Sequence, residues 1–504
     1  MVLRVRRTDL FVLNMRTRMP FRYGIATLVA LPHLFLRLEL EVSTGGAGGG
    51  GTSKRVTGLA ADHLPPKWFT KHPHTNVADD VAEMTDVIRS ACTIAKRLPP
   101  SGSVFELWRK LYAEQGAWAA KKKYPPLLWG FGVSLVERAV IDAFCRALDH
   151  PFAVAVRENT LGIELGELHA ELGGARPGDL LPPAPLKSIV VRHTVGLSDA
   201  LTDGEIPLRE RLHDGLPQSL EAAIKTYGLT HFKIKLSGHA DKDLHRLRDI
   251  ARLLAKRGGA GGGGAGGAGG GGPIAFTLDA NENYLALEPF RELWEKISVD
   301  PSLQEFLRRL LFVEQPLHRD VALAPQTCGA LLAWPGRPPM IIDESDGQIQ
   351  SVREALACGY IGTSYKSCKG VIKGLGAACL IAHRNRNGAG GRWLVSAEDL
   401  STVGPVSLPQ DLAVIATLGI AHAERNGHHY FRGLSAIPRG TQHELLAAHR
   451  DLWRDHDDGF ATLNIQAGSV DVSSVVSNGF GLKLEFDPSI FIPLEQWDAA
   501  SLNA

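Results

Sequence analysis

From residue 186 to about residue 435, short apolar runs alternate with stretches of helical periodicity. Five of the runs carry a charged residue at their C-terminal end: His231–Lys235, Ile274–Asp279, Leu311–Glu314, Met340–Asp343 and Tyr360–Lys366. They recur at intervals of roughly 25 to 45 residues, the length of one strand–helix unit in a (β/α)₈ barrel. Leu186–Arg192 reads as a first strand, Leu220–Tyr227 and Leu244–Lys256 as helices between strands. Alternation of this kind argues for a parallel sheet with helices on its outside. Ahead of it, residues 1–43 read as two strands joined by a loop at Arg18–Gly24, and the second strand alternates clearly around Leu34–Val42. Residues 77–150 read as mostly helical, with amphipathic stretches at Val81–Ala95 and Val133–Leu148. The Gly- and Pro-rich segment Gly174–Pro185 reads as a junction. The tail carries an expected helix at His443–Asp455 and a strand-like run at Gly481–Phe486. The divisions expected are 1–175, 186–440 and 441–504.

Gly258–Gly272 is nearly all Gly and Ala. Such a tract buries too little apolar surface to offset its ordering entropy, so it reads as a disordered insertion on the end of the barrel away from the charged strand ends. At 504 residues the chain has room for a large barrel and additions. The formal net charge of +1 gives no electrostatic case for nucleic acid or for an anionic membrane. No apolar run is long enough to span a bilayer, and no apolar signal core follows the basic start at Arg4, Arg6 and Arg7. The six cysteines show no CxxC pair and no framework spacing, which makes a reducing cytoplasm the expected location.

A barrel gathers the C-terminal ends of its strands on one face, where its chemistry sits. Asp279, Glu314 and Asp343 then supply three carboxylates from successive units, hard oxygen donors suited to Mg²⁺ or Mn²⁺. Glu344 is adjacent to Asp343, only one of the pair can face the axis, and alternation does not choose between them. Asn281 lies two after Asp279, on the same side, as a candidate ligand contact. Lys233 and Lys235 share a strand face about 6–7 Å apart and would repel by roughly 2.5 kcal/mol at an effective dielectric of about 20. That repulsion would help keep Lys235 neutral enough to act as a base. Lys366 ends the sixth strand when Lys235 is on the second, so the two face each other across the barrel. Lys369 is expected near solvent. Asp399 and Glu424 lie near the seventh and eighth strands and are candidates for the pocket wall. His428 and His429 are expected to be solvated.

Together these motifs resemble those of the enolase superfamily, within it the mandelate racemase and muconate lactonizing enzyme family, and its muconate lactonizing subgroup in particular. The carriers are the lysines of Lys233–Lys235, the DxN of Asp279–Asn281, Val313–Pro316, Asp343–Ser345 and Lys366. The resemblance implies an α/β fold: a modified TIM (β/α) barrel with an α+β capping domain formed by the N-terminal region and the C-terminal tail. It implies Mg²⁺ on Asp279, Glu314 and Asp343, favouring the first acid of the Asp343–Ser345 motif. It also implies Lys235 and Lys366 as an acid/base pair tuned by Lys233, and loss of the proton α to a small carboxylate through a metal-stabilised enediolate. Racemisation or epimerisation, cycloisomerisation, and an acid-sugar dehydratase's loss of water all start there. A non-catalytic binding protein on the same barrel is the alternative of another class, and a homo-oligomer is left open. In the implied fold the first hairpin loop of the cap hangs over the barrel mouth. Phe21, Arg22 and Tyr23 then become candidate substrate contacts, with Lys67 and Trp68 on a second loop. Arg22 would suit a second anionic group on the substrate. The chain departs from the family in its length and in Gly370–Val371, where two glycines are common.

Overall fold

The computed structural model describes residues 1–44, 52–259, 273–388 and 391–503. The N-terminal region forms an antiparallel sheet of β1 (Val2–Tyr23), β2 (Ala26–Thr44) and β3 (Thr52–His63). The expected loop at Arg18–Gly24 is shorter than anticipated, because Phe21–Tyr23 rejoin the ladder opposite Ala26–Leu28 after a register shift between Arg16 and Phe21. β3 was not expected from the sequence. Along β2 the alternation works as read: Leu34, Leu36, Leu38, Leu40 and Val42 are buried. Helices α1 (Val77–Arg97) and α3 (Pro126–Leu148) pack on this sheet, and α2 (Val104–Lys122) packs on those two helices. Asn76 and Asp79 form a capping box that starts α1. α3 is apolar on nearly every side rather than amphipathic, because sheet, helices and barrel all pack on it. Gly58 permits the closest approach, since a Cβ there would stand 2.0 Å from the Ala139 carbonyl oxygen.

The barrel has eight parallel strands: β4 (Ser188–Val195), β5 (His231–Lys235), β6 (Ala275–Asp279), β7 (Leu310–Glu314), β8 (Met340–Ile342), β9 (Gly362–Tyr365), β10 (Leu394–Ala397) and β11 (His422–Arg425). β11 pairs with β4 and closes the ring. The helix Leu220–Tyr227 ends at Gly228 in the left-handed region. The helix read over Leu244–Lys256 runs from Ala240 to Gly259. Beyond Gly259, the glycine tract lies outside the described residues.

The tail departs from expectation. Its helix is Arg439–Ala448, and Trp453–Asp455 is instead a strand paired with Ala461–Leu463. Gly481–Phe486 is not a strand. Its Leu482 and Phe486 are buried through packing rather than through a ladder. Ser469–Asp471 adds to the outer side of β4, and Ile492–Pro493 pairs with β1. The tail therefore touches barrel and cap in turn.

Cys328 and Cys358 form a disulfide, which the absence of a CxxC pair or framework spacing did not announce and which is unusual for the reducing cytoplasm expected. They sit on separate helical segments, Pro325–Leu332 and just past Ser351–Ala357, whose packing brings the Cα atoms to 4.4 Å. Spacing along the chain carries no trace of that proximity. Cys92, Cys145, Cys368 and Cys379 are free and buried. Among the described residues, no helix is long and apolar enough to cross a membrane.

Candidate active site

The C-terminal strand ends converge as the motif spacing implied. Lys235 and Asp279 end β5 and β6, Glu314 ends β7, Asp343 follows β8 and Lys366 follows β9. All five are buried. Lys235 Nζ donates to Asp279 Oδ2 at 2.6 Å, and Lys366 Nζ donates to Asp343 Oδ2 at 2.6 Å.

Lys233 is surrounded by acid. Its Nζ lies 3.0 Å from Asp279, 2.7 Å from Glu314, 2.7 Å from Glu398 and 2.8 Å from Glu424. Burial alone would lower the lysine's pKa, but these four carboxylates hold it well above the ordinary value. This corrects the expected tuning. The charge of Lys233 is engaged by its four acids rather than directed at Lys235. Glu398, at the C-terminal end of β10, was missed in the sequence. It also accepts hydrogen bonds from Arg192 and Ser396.

Lys369 is not near solvent. It is buried, and its Nζ reaches Asp343, Ser364 and Asp346. Burial would raise the pKa of Asp343, but Lys366, Lys369 and Lys233 hold it well below the usual carboxylate range. Glu314 is the opposite case, pushed well up by burial and by Asp279 and Glu398. Glu344 is buried too, pushed up to about 8 by burial and by Asp343 and Glu282. Gln315, φ 35°, ties two strand ends together: its Oε1 accepts the Asp343 and Ser345 N–H groups, and its Nε2 donates to Ser345.

The donor chemistry of Asp279, Glu314 and Asp343 suits a hard divalent cation. Neither Glu314 oxygen accepts a well-formed hydrogen bond, although both are buried. Lysines stand between the acids, however, and among the described residues no three acids or histidines are grouped closely enough to hold a metal as they are. The residues fit the ion by type and by Glu314 Oε1, which is buried without a hydrogen-bond donor.

A small pocket opens over these groups. Lys235 and Lys366 both line it, with Phe21, Tyr23 and Trp68 from the cap, Asn281 from the β6 end, and Asp399 and Glu424 from the β10 and β11 ends. The Trp68 ring centroid is 4.6 Å from Lys366 Nζ. Phe21 stacks on Tyr430 at 4.1 Å, and the Tyr23 hydroxyl donates to the Pro66 carbonyl. Asn281 has φ 44°, and its Nδ2 donates to Asp279.

Two cap residues miss the cavity. Arg22 turns to a neighbouring cleft and approaches Ser198, because side chains alternate along β1 and Phe21 and Tyr23 take the inner face. Lys67 folds back on its own loop, where its Nζ donates to the carbonyls of His72 and Thr75. Glu424 lines the wall but is already engaged by Thr194, Lys233 and the Asp399 N–H. His428 and His429 are buried beside His193, not solvated, because the β11 loop turns under the cap.

No family model matches the chain, and no curated protein matches it. Solved structures do. A mandelate racemase/muconate lactonizing protein from Herpetosiphon aurantiacus superposes with TM-score 0.55 at 16% identity, covering 96% of this chain and 99% of that one. The muconate lactonizing enzyme from Pseudomonas fluorescens, solved with muconolactone, gives TM-score 0.56 at 13% identity, with coverage of 97% and 99%. The chain has the fold of the mandelate racemase and muconate lactonizing enzymes of the enolase superfamily. An enolase from Bradyrhizobium, solved with magnesium and mandelic acid, gives 0.53 at 14% identity, covering 97% of each chain. The barrel fold is therefore shared, at identities too low to carry a substrate across.

Proposed function

We propose that the chain is a metal-dependent enzyme that removes the proton α to a substrate carboxylate, and that its net reaction is racemisation or epimerisation. The observation that carries this is a single cavity lined by both Lys235 and Lys366, which come from the second and sixth strands of a closed eight-stranded ring. Two nitrogens on opposite sides of one substrate carbon can remove a proton from one face and return it to the other. Each lysine nitrogen lies 2.6 Å from an acid, Lys235 from Asp279 and Lys366 from Asp343. Asp279, Glu314 and Asp343 would hold Mg²⁺, or Mn²⁺, which would supply positive charge for the substrate carboxylate.

The cap residues shape the rest. Phe21, Tyr23 and Trp68 face an apolar or aromatic part of the substrate and exclude water. The cations lining this cavity are the two lysines, and Asp399 and Glu424 add negative charge, so a second anionic group on the substrate is disfavoured. Small carboxylates with one aromatic or apolar substituent on the α-carbon fit best.

The test is solvent-deuterium exchange into such carboxylates with Mg²⁺ present. Lys235→Ala should abolish exchange from one enantiomer and leave some from the other, and Lys366→Ala should show the reverse. If one substitution ends all exchange and the other only slows turnover, a single base is at work and the reaction is a cycloisomerisation or an elimination. Full activity in the double variant would overturn the reading.

A further inference from the structure

We infer that Arg319 is a positioning residue, a latch that fixes the Trp68 wall of the cavity to the turn carrying Asp279 and Asn281. Arg319 follows β7 and is not among the strand-end motifs. Its Nε and backbone N–H donate to Glu282 Oε1, both at 2.8 Å, and its Nη2 donates to Glu282 Oε2 at 2.7 Å. The other edge of the same guanidinium crosses to the cap. Nη1 donates to the Phe69 carbonyl at 2.8 Å, and Nη2 donates to the Trp68 carbonyl at 2.8 Å. One planar group thus holds two successive carbonyls of a cap loop and both oxygens of a barrel carboxylate, a geometry lysine cannot reproduce.

The barrel side of the latch is rigid. Asn281 and Glu282 have φ 44° and 61°, backbone that non-glycine residues rarely adopt and that persists only where neighbours enforce it. Those neighbours are present: the Asn281 N–H donates to Asp279 Oδ1, the Glu282 N–H donates to the Gln315 carbonyl, and Lys71 of the cap donates to the Asn281 carbonyl. The Glu282 side chain is 1% exposed and is paired with Arg319 and, at 3.8 Å, with Lys71. At its other end the loop is tied to α1, where the Lys67 N–H donates to Asp80. Between these two ties lies Trp68, whose ring covers Lys366. Arg319 therefore determines how closely that ring sits over the lysine, without itself touching the cavity.

The latch can be tested without a substrate, while its kinetic consequence rests on the proton-abstraction reading above. In Arg319→Lys, amide exchange over residues 64–75 should rise by about tenfold or more, the scale of one lost charged hydrogen bond, with the barrel strands still protected. Covalent labelling of Lys366 by a small amine reagent should accelerate in parallel. Glu282→Gln should give a smaller effect in the same direction and guards against a folding defect at Arg319. Trp68→Ala should expose Lys366 to the reagent to a similar degree, since it removes the cover directly. With a confirmed carboxylate, Arg319→Lys should raise KM while kcat changes little. Unchanged exchange over 64–75 would overturn the latch whatever the enzyme does. Raised exchange with unchanged Lys366 labelling would show a structural tie with no bearing on the cavity, and would equally overturn the inference. Absence of α-proton exchange in the unsubstituted protein would count against the proposed function alone.

Discussion

Lys233 concentrates the electrostatics of the barrel mouth in one side chain. It is fully buried, with Asp279, Glu314, Glu398 and Glu424 all within 3.0 Å of its Nζ. Removing one member of a buried ion cluster leaves the others uncompensated, at a cost of about 3–5 kcal/mol. Lys233→Met, which keeps the volume, should therefore lower stability by about that amount in urea unfolding. Wild-type stability would show that the four acids are neutral or otherwise paired. Glu314→Ala should instead leave the barrel folded and weaken Mg²⁺ binding, and unchanged affinity by calorimetry would remove Glu314 from the metal site. The lysine pair itself was legible in the sequence because alternation puts residues 233 and 235 on one face. Its surroundings were not. Glu398 and Glu424 arrive from strands 165 and 191 residues further along the chain, and nothing local to Lys233 announces them. Lys369 was misplaced for a related reason: a 3₁₀ turn, Ser367–Lys369, folds it back onto Asp343, where strand periodicity no longer applies.

Elements with a strong local signal were the ones read correctly. The helix Leu220–Tyr227 has an N-cap serine and a C-terminal glycine, and both observed ends agree with the expected ones. The tail helix was misjudged because Trp453–Asp455 has a strand partner at Ala461–Leu463, a tertiary fact without a local cue. The helix Val371–Asn387 shows another dependence on distant residues. It starts after Gly370 at φ 103°, and its first turn is held by Glu137 of α3, which accepts the Ile372 N–H. Burial, more than any neighbour, pushes the Glu137 carboxyl from 4.5 up to about 8. A carboxyl with a raised folded pKa binds its proton more tightly in the native state. Its contribution is thus fully present below about pH 4.5 and is lost as pH rises toward 8, at about 1.4 kcal/mol per unit within the window. Glu137→Gln keeps an acceptor for Ile372 and has no proton to lose. Its unfolding free energy should match the wild type near pH 4.5 and exceed it increasingly up to pH 8. Parallel pH profiles for the two proteins would show that Glu137 does not carry this charge cost.

At the scale of the whole molecule, cap and barrel are joined by more than their shared cavity. After adding Ser469–Asp471 to β4, the tail crosses to the cap. There Ile492–Pro493 pairs with β1, and the Leu494 N–H donates to the Leu10 carbonyl. Phe491 stacks on Phe35 at 5.0 Å, and Trp497 and Ser501 hydrogen-bond Asn14. These contacts protect the edge of β1, the strand whose far end presents Phe21 and Tyr23 to the cavity. An exposed strand edge is prone to opening and to pairing with other chains. Deleting residues 487–504 removes all of them but leaves the eight-stranded ring, its β4 extension and the Cys328–Cys358 bond in place. Amide exchange along β1 and β2 should then accelerate strongly, while β5 to β9 keep their protection, because the barrel core does not depend on that segment. Metal affinity should be retained for the same reason, and affinity for a carboxylate substrate should fall as the Phe21 end of β1 loosens. Equal acceleration throughout cap and barrel would mean that the two unfold as one cooperative body. Unchanged exchange along β1 would mean that the tail lies on the cap without holding it.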